Sequence, residues 1–272
     1  MMNFKNRFYL ESADQFNNQE VVVHGWVYNN RGSGKIRFLQ VRDGTGFVQA
    51  VVPADTSTPE LFNLAMDLKQ EASVILTGKI YKEERAPMGY EMQVSKIEVI
   101  HNPVEPYPIG KKEHGVDFLL TQRHLWLRAP KQQMIARVRD EIRFGFAKFF
   151  REQKFTLVDT PILTGSIGES AGELFETEYF DLGKAYLTQT GQLYLEAACM
   201  ALGKVWNFGP TFRAEKSKTR RHLTEFWMLE AEVAYNNYQD NMDLQEMMVK
   251  YVINHVLENC KEEFKILERD TD

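Results

Sequence analysis

The chain has 272 residues, 43% of them hydrophobic and 26% charged, and its formal net charge is −5 at pH 7. This composition is typical of a folded protein, and the length suits two domains. The acidic balance excludes a protein that coats nucleic acid by neutralising phosphates, so any nucleic-acid contact must be local. No apolar run could span a bilayer and the N-terminus lacks the core of a secretion signal, so we expect a cytoplasmic protein without membrane contacts.

The two cysteines do not form a recognisable motif. Cys199 and Cys260 lie far apart among helical patterns, with neither CxxC nor Cys/His ligand spacing. Packed or free thiols are therefore expected rather than a disulfide, and no metal site is expected within this chain.

Residues 20–100 contain five short segments in which apolar and polar residues alternate, separated by the turn-like RGSG, DGTG and RAPMG. Alternation with a period of two predicts strands. One helix is predicted between the third and fourth strands, in TPELFNLAMDLKQEA. This order is that of an OB-fold, a five-stranded barrel, over residues 1–104. Another small barrel, such as an SH3-like one, is the alternative.

A connector and a second domain follow the barrel. Residues 101–115, HNPVEPYPIGKKEHG, carry three prolines and two glycines without periodicity, which is typical of a linker. We assign the linker to 105–128 and a second, α+β domain to 129–272. Its predicted elements are a helix from Pro130, a strand FTLVDTPIL closing on Pro161, strands in 184–190, 205–215 and 223–235, and helices at 192–202 and 239–267.

The stretch GPTFRAEKSKTRRHLTEF, residues 209–226, concentrates positive charge in an acidic chain. If its two strands pair as a hairpin, the period of two puts Arg213 and Glu215 on one face, and Phe226 and Glu230 on one face of the partner strand. A floor of Arg213, Phe226 and Glu230 suits a phosphate, a flat ring and an amine, as in a nucleotide with an amino acid. The alternative is a solvated hairpin tip.

TFRAEKSKTRRHLTEF resembles motif 2 of the class II aminoacyl-tRNA synthetases, and Pro130–Leu163 resembles motif 1. With a barrel in front, the chain is similar to subclass IIb, the aspartyl, asparaginyl and lysyl enzymes. GESAGELF at 168–175 and TGQLYLEAA at 190–198 match the asparaginyl members most closely. The resemblance implies a homodimeric ligase of protein biosynthesis, with Pro161 at the dimer interface. It would activate L-asparagine with ATP and Mg2+ and transfer it to tRNA(Asn).

The resemblance also implies roles for individual residues. Arg213 and Glu215 would be catalytic, with Arg213 neutralising the α-phosphate. The ATP-binding residues would be Arg213, Glu215, Arg221, His222 and Phe226, and the amino-acid-binding residues Glu169, Gln192, Glu196 and Glu230.

The same comparison favours asparagine as the substrate. Aspartyl enzymes carry a lysine three residues after the corresponding glutamine, and here that position holds Leu195. Glu196, its neighbour, would repel a carboxylate and accept a hydrogen bond from a carboxamide.

The barrel carries candidate RNA-reading residues. Leu39 and Val41 share the inward phase of their strand, which turns Phe38 outward, and Gln49 is outward on the next strand. An aromatic ring beside amides suits base stacking with edge recognition. Phe38, Gln49 and Glu91 align with subclass IIb positions that recognise the central anticodon uridine, and Arg31 is a candidate for the phosphate backbone.

The resemblance stops before motif 3, because the chain has no glycine after Gly209. The second arginine at adenine and the Mg2+ ligands would lie in that motif, so the chain looks like the first part of such an enzyme. By itself it is expected to show negligible asparagine-dependent ATP–pyrophosphate exchange. The alternatives are a non-catalytic tRNA-binding module that kept the barrel and a paralogue that makes free asparagine by amidation.

Overall fold

The computed structural model describes residues 8–110, 112–165, 168, 173–217, 219 and 221–271. The chain divides into two compact units, Met1–Thr121 and Gln122–Asp272. Within the described ranges, no helix has both the length and the apolar character that crossing a membrane requires.

The first unit is a closed five-stranded barrel with the strand order β1-β2-β3-β5-β4. Its elements are β1 (Glu20–Gly32), β2 (Ile36–Arg42), β3 (Phe47–Pro53), α1 (Pro59–Asp67), β4 (Ser73–Lys82), β5 (Tyr90–His101) and α2 (Val116–Thr121), with short 3-10 helices at Leu10–Phe16 and Pro87–Gly89. The helix α1 begins at the N-cap Thr58, whose side chain accepts a hydrogen bond from the amide of Leu61. The OB-fold prediction is confirmed.

The alternation in β2 and β3 is what fills the barrel. Leu39, Val41, Val48, Ala50 and Val52 are all fully buried, as their inward phase predicted. The opposite phase leaves Phe38, Gln40 and Gln49 on the outer face. The strand β3 pairs in parallel with β5, and the register of this pair sets Gln49 beside Glu91 on that face.

A buried ion pair lies at one end of the barrel wall. The Nη2 of Arg42 lies 2.6 Å from Oε2 of Glu71, and the side chains are only 6% and 4% exposed. The guanidinium also lies 5.3 Å from the ring of Trp26. Since a buried charge without a partner is costly, each of these two residues depends on the other.

The second unit contains two three-stranded sheets, in the orders β11-β10-β6 and β7-β9-β8. Its elements are α3 (Arg123–Trp126), α4 (Pro130–Glu152), β6 (Thr156–Leu157), β7 (Leu163–Thr164), β8 (Glu176–Glu178), β9 (Lys184–Leu187), α5 (Gln192–Leu202), β10 (Lys204–Phe212), β11 (Glu225–Val233), α6 (Tyr238–Asn259) and α7 (Lys261–Ile266). The described residues between His101 and Val116 form neither helix nor strand.

The apolar stripe of α4 forms the core of this unit. Phe149 and Phe150 are each 2% exposed, and the Phe150 ring stacks on Trp206 of β10 at 4.9 Å. Val138 and Ile142 pack against Val252 and Val256 of α6. The helix therefore joins the β10–β11 sheet to α6, and its prediction from Pro130 onward is confirmed.

Two predicted elements differ from the structure. The strand expected across FTLVDTPIL is divided: Thr156–Leu157 pairs with β10, with a further bond from the Val158 amide to the Trp206 carbonyl, and Leu163 pairs with β9 in the other sheet. Pro161 has no N–H to continue that pairing. The final helix is interrupted at Cys260, whose φ of −114° and ψ of 29° leave the helical region. Burial raises the pKa of this thiol to about 11.

We predict that Glu71→Gln will destabilise the barrel by about 3 kcal/mol, because Arg42 would keep its charge in a buried site without a counterion. Native-state hydrogen exchange of β1 and β2 amides would measure this in the barrel alone. Glu98→Gln is the matched control, since Glu98 is exposed on β5. Equal exchange rates in the two variants would contradict the prediction.

Candidate functional site

The β10–β11 hairpin places the candidate residues. The strands pair antiparallel, with Thr211 opposite Phe226 and Asn207 opposite Glu230. The hairpin prediction is thereby confirmed. Because residues two apart share a face, Phe226 and Glu230 lie on one face of β11 and Trp227 on the other.

A cleft of about 670 Å³ opens at the loop end of the hairpin. The structure brings the five predicted ATP-binding residues together in its wall, beside three residues that sequence reasoning did not identify, Ser217, Leu223 and Thr224. Two basic residues of the same stretch, Lys218 and Arg220, lie outside the described residues.

Arg213 is held at the base of this cleft. Its Nη1 donates to the carbonyl of Gln189 at 2.6 Å and to that of Phe212 at 3.2 Å, and its backbone amide donates to Thr224. The guanidinium carbon lies 5.5 Å from the centre of the Phe226 ring. A fixed cation beside an aromatic face, open to a cleft, can bind an anion attached to a flat ring.

One step of the strand argument was wrong. The strand β10 ends at Phe212, so Arg213 and Glu215 lie beyond its last residue and strand alternation does not place them on one face. A bond from the Arg213 amide to the Thr224 carbonyl extends the pairing past the strand end. The loop conformation, not the strand period, brings both side chains to the cleft.

Glu230 is not among the residues that line this cleft. Its carboxylate accepts hydrogen bonds from the Thr190 hydroxyl and from the Gly191 amide, the latter at 2.9 Å to Oε2. Gly191 immediately precedes α5, so this carboxylate anchors the start of the helix. A Cβ at position 191 would lie 2.7 Å from the Thr160 hydroxyl and 2.9 Å from the Asn207 amide, so glycine is required by space.

The helix α5 presents Gln192 and Glu196 to solvent. Nε2 of Gln192 donates to Oε1 of Glu196 at 2.9 Å, one helical turn away. Leu195, by contrast, is fully buried against Cys199 and Val205. The position at which aspartyl enzymes carry lysine is therefore buried here, and Glu196 is the residue that shares the exposed face of α5 with Gln192.

Two carboxylates, Glu196 and Glu230, lie close enough to Glu232 to affect it. Burial, followed by the negative charges of Glu196 and Glu230, raises the pKa of Glu232. The period of two in the sequence puts Glu232 on the same face of β11 as Glu230, but sequence reasoning gave it no role. Thr190 was also missed; its hydroxyl accepts from the amide of Gln192 as a helix cap does, and a threonine before a helix was the available signal.

Two other predicted residues are not joined to this site. Glu169 lies outside the described residues. Pro161 is exposed and lies beside the exposed apolar side chains of Ile162 and Leu163.

The four candidate RNA-reading residues form one connected cluster on the barrel. Nη2 of Arg31 donates to Oε1 of Gln49 at 3.0 Å, and Nε2 of Gln49 donates to Oε2 of Glu91 at 2.8 Å. The Arg31 guanidinium lies 5.8 Å from the ring of Phe38, its cross-strand neighbour. Gln49 and Glu91 also line a cleft of about 580 Å³ with Lys82 and Arg85.

Metal ligands do not gather in the described part of the chain. Across it, no group of three or more His, Cys, Asp or Glu side chains could hold a metal ion. We therefore assign no described residue as a ligand of Mg2+.

Comparisons with known proteins agree with this arrangement. Residues 115–271 match a family described as tRNA synthetases class II (D, K and N), and residues 21–100 match an OB-fold nucleic acid binding domain. An asparagine–tRNA ligase of Pelotomaculum thermopropionicum is 55% identical over 93% of this chain, which spans 58% of that protein.

Solved structures show the same relationship. A crystal structure of asparaginyl-tRNA synthetase from Pyrococcus horikoshii complexed with asparaginyl-adenylate has a TM-score of 0.91 at 40% identity, over 98% of this chain and 62% of that one. The enzyme from Entamoeba histolytica, also in complex with asparaginyl-adenylate, has a TM-score of 0.81 at 30% identity, over 92% and 57%. The chain therefore belongs to the class II tRNA synthetases of the D, K and N group.

Proposed function

We propose that this chain works in asparagine–tRNA ligation. It would hold ATP and L-asparagine while asparaginyl-adenylate forms, and bind tRNA(Asn), which then receives the asparaginyl group. The observation that carries the proposal is the cleft in which Arg213 and Phe226 meet, at one end of the hairpin. At the other end, Glu230 and Glu232 form an acidic cluster with Glu196 of α5. The asparagine–tRNA ligase relative at 55% identity supports the same assignment.

The cleft suits ATP. In the first step the asparagine carboxylate attacks the α-phosphorus and pyrophosphate leaves, so negative charge develops on the α-phosphate oxygens. Arg213, already fixed by the Gln189 carbonyl, would neutralise that charge without having to reorganise. Phe226 would stack on adenine, and Glu215 would lie near its edge. Arg221 and His222 would contact the outer phosphates or the tRNA end.

No enzyme-linked intermediate is needed for this chemistry. The adenylate holds the activated acyl group, and a terminal ribose hydroxyl of the tRNA attacks it and releases AMP. Catalysis would rest on positioning and on the cations around phosphorus. Mg2+ would accompany the triphosphate, whose charge it offsets.

The acidic cluster suits the amino acid. Glu230 and Gln192 would bind the ammonium and carboxylate ends of asparagine, together with Glu169. Glu196 would accept a hydrogen bond from the carboxamide, whereas an aspartate side chain would add negative charge beside Glu196, Glu230 and Glu232. Selection of asparagine over aspartate would follow from this repulsion.

The barrel suits the anticodon. Phe38 would stack on a base, while Gln49 and Glu91 would bind its edge and Arg31 a phosphate. Uracil offers an N–H between two carbonyl oxygens, which matches an amide beside a carboxylate.

Assembly is the last part of the proposal. Pro161, with exposed Ile162 and Leu163 beside it, would lie in the interface of a cytoplasmic homodimer.

We predict that Arg213→Met will weaken ATP binding about 10-fold or more and leave adenosine binding nearly unchanged, because within the ligand the lost charge would contact the phosphates and not the nucleoside. Phe226→Leu should weaken both ligands by one common factor, since both contain the ring. Isothermal titration calorimetry at fixed ionic strength would measure this. Arg139→Met, exposed on α4, is the control. An equal loss of adenosine and ATP in Arg213→Met would show that the phosphate assignment is wrong.

We predict that Glu196→Gln will lower the pKa of Glu232 but keep it above its ordinary value, because burial, the larger cause, is unchanged. The folded chain resists ionising Glu232, so this group contributes stability below its ordinary pKa, and that contribution is lost as the pH rises through the raised value. Carbon-13 NMR titration of the carboxyl groups would measure the pKa of Glu232 in the wild-type chain and in the variant. Glu246→Gln on α6 is the control and should leave the pKa of Glu232 unchanged. An unchanged pKa of Glu232 in Glu196→Gln would show that the charge of Glu196 does not act on Glu232.

We predict that Phe38→Ala will weaken binding of an anticodon stem-loop RNA about 10-fold while the salt dependence stays the same, because a stacking contact and no phosphate contact is lost. Arg31→Ala should reduce the salt slope by about 1. Fluorescence anisotropy across a salt series would distinguish the two. Phe180→Ala, 84% exposed in the other unit, serves as control. A change of slope in Phe38→Ala would contradict the stacking role.

A further inference from the structure

A row of outward side chains crosses three neighbouring barrel strands next to Phe38. Glu91 on β5 is paired with Gln49 on β3 at one side and with Tyr81 on β4 at the other. All three side chains are partly buried. The first two are candidate RNA-reading residues, whereas no role has been given to Tyr81.

The hydrogen bonds of this row converge on Glu91 from its two neighbouring strands. The Tyr81 hydroxyl donates to Oε1 of Glu91 at 2.5 Å, and Nε2 of Gln49 donates to Oε2 of the same carboxylate at 2.8 Å. At its other end the Gln49 amide accepts from Arg31. Each carboxylate oxygen thus has one donor.

The chemistry of the partners fixes the orientation of the Gln49 amide. An ionised carboxylate only accepts hydrogen bonds and a guanidinium only donates them. The NH2 group of Gln49 must therefore face Glu91, and its oxygen must face Arg31. One N–H and one lone pair of this amide remain for a ligand, in a defined order.

The Tyr81 hydroxyl keeps this carboxylate in place. Without it, Oε1 would lose its donor and Glu91 could rotate about its side-chain torsions, which would release Gln49 from one of its two partners. A tyrosine hydroxyl is protonated at neutral pH and can donate. Burial, together with the hydrogen bond to Glu91 and its charge, raises the pKa of Tyr81 further, to about 12.

We propose that Tyr81 is a positioning residue for base recognition: by holding Glu91, it fixes the order of donor and acceptor that Gln49 and Glu91 present to a base. This inference rests on the proposed function, in which that face binds the anticodon. Uracil presents an N–H beside carbonyl oxygens, whereas cytosine presents an NH2 group beside an unprotonated ring nitrogen. A fixed amide and carboxylate distinguish these two edges, and a mobile pair does so less well.

The test uses the 272-residue chain and two labelled stem-loop RNAs that differ only in uracil or cytosine at the central anticodon position. Tyr81→Phe keeps the ring and removes only the hydroxyl. We expect about fivefold weaker binding of the uracil RNA, little change for the cytosine RNA, and a correspondingly smaller uracil-to-cytosine ratio. Tyr90→Phe removes a hydroxyl from the neighbouring strand and should leave the ratio as in wild type.

A second comparison separates positioning from general packing. If Tyr81 acts through Glu91, adding Tyr81→Phe to Glu91→Gln should have no further effect on the ratio, whereas independent effects would multiply. A wild-type ratio in Tyr81→Phe, or a full additional effect in the double variant, would overturn the role of Tyr81 and leave anticodon binding intact. Failure of the wild-type chain to bind either RNA would overturn both the inference and the proposed function of this face.

Discussion

The antiparallel register of β10 and β11 is the constraint on which the proposed nucleotide and amino-acid sites depend. It places Phe226 opposite Thr211, next to Arg213, and Glu230 opposite Asn207, where the carboxylate reaches Gly191 at the start of α5. A slip of one residue would turn every side chain of β11 to the other face. The opposite face resists such a slip, because Trp227 lies 4.7 Å from the guanidinium of Arg143 on α4 and packs against Phe208. Contacts on one face of the strand thus maintain the geometry of the other.

Arg213 in the cleft and Gln49 on the barrel are both held in place by other protein groups, without a ligand. Arg213 donates to a backbone carbonyl, and Gln49 is held between Arg31 and Glu91. A side chain that is already fixed loses less conformational entropy on binding, so more of its interaction energy is available for affinity and discrimination. The arrangement also explains why the partners of the candidate residues matter: the Gln189 carbonyl positions Arg213, and the Thr190 hydroxyl and the Gly191 amide position Glu230.

The sequence was most informative where burial and periodicity act together. In β2 and β3 each inward position is apolar because it is buried, so the barrel and the outward phase of Phe38 and Gln49 could be predicted. Periodicity failed beyond the strand end, where loop conformation places Arg213 and Glu215. The contact of Tyr81 with Glu91 follows from cross-strand register. That register depends on the turn and the bulges between the two strands, which could not be predicted from the sequence.

Charge is distributed over the second unit in a way that suits a zwitterionic substrate and a triphosphate. The loop end of the hairpin carries Arg213 and Arg221 with a single carboxylate, Glu215, while the other end brings Glu230 and Glu232 together with Glu196. Burial raises the pKa of Glu232, and the negative charges of Glu196 and Glu230 raise it further. In the proposed ligase, the ammonium group of asparagine would relieve this repulsion when it binds. Aspartate would bring the same ammonium group but also a further carboxylate, so the repulsion that asparagine relieves would be restored. The acidic cluster would therefore contribute to affinity for one amino acid and to rejection of the other through the same electrostatic interaction.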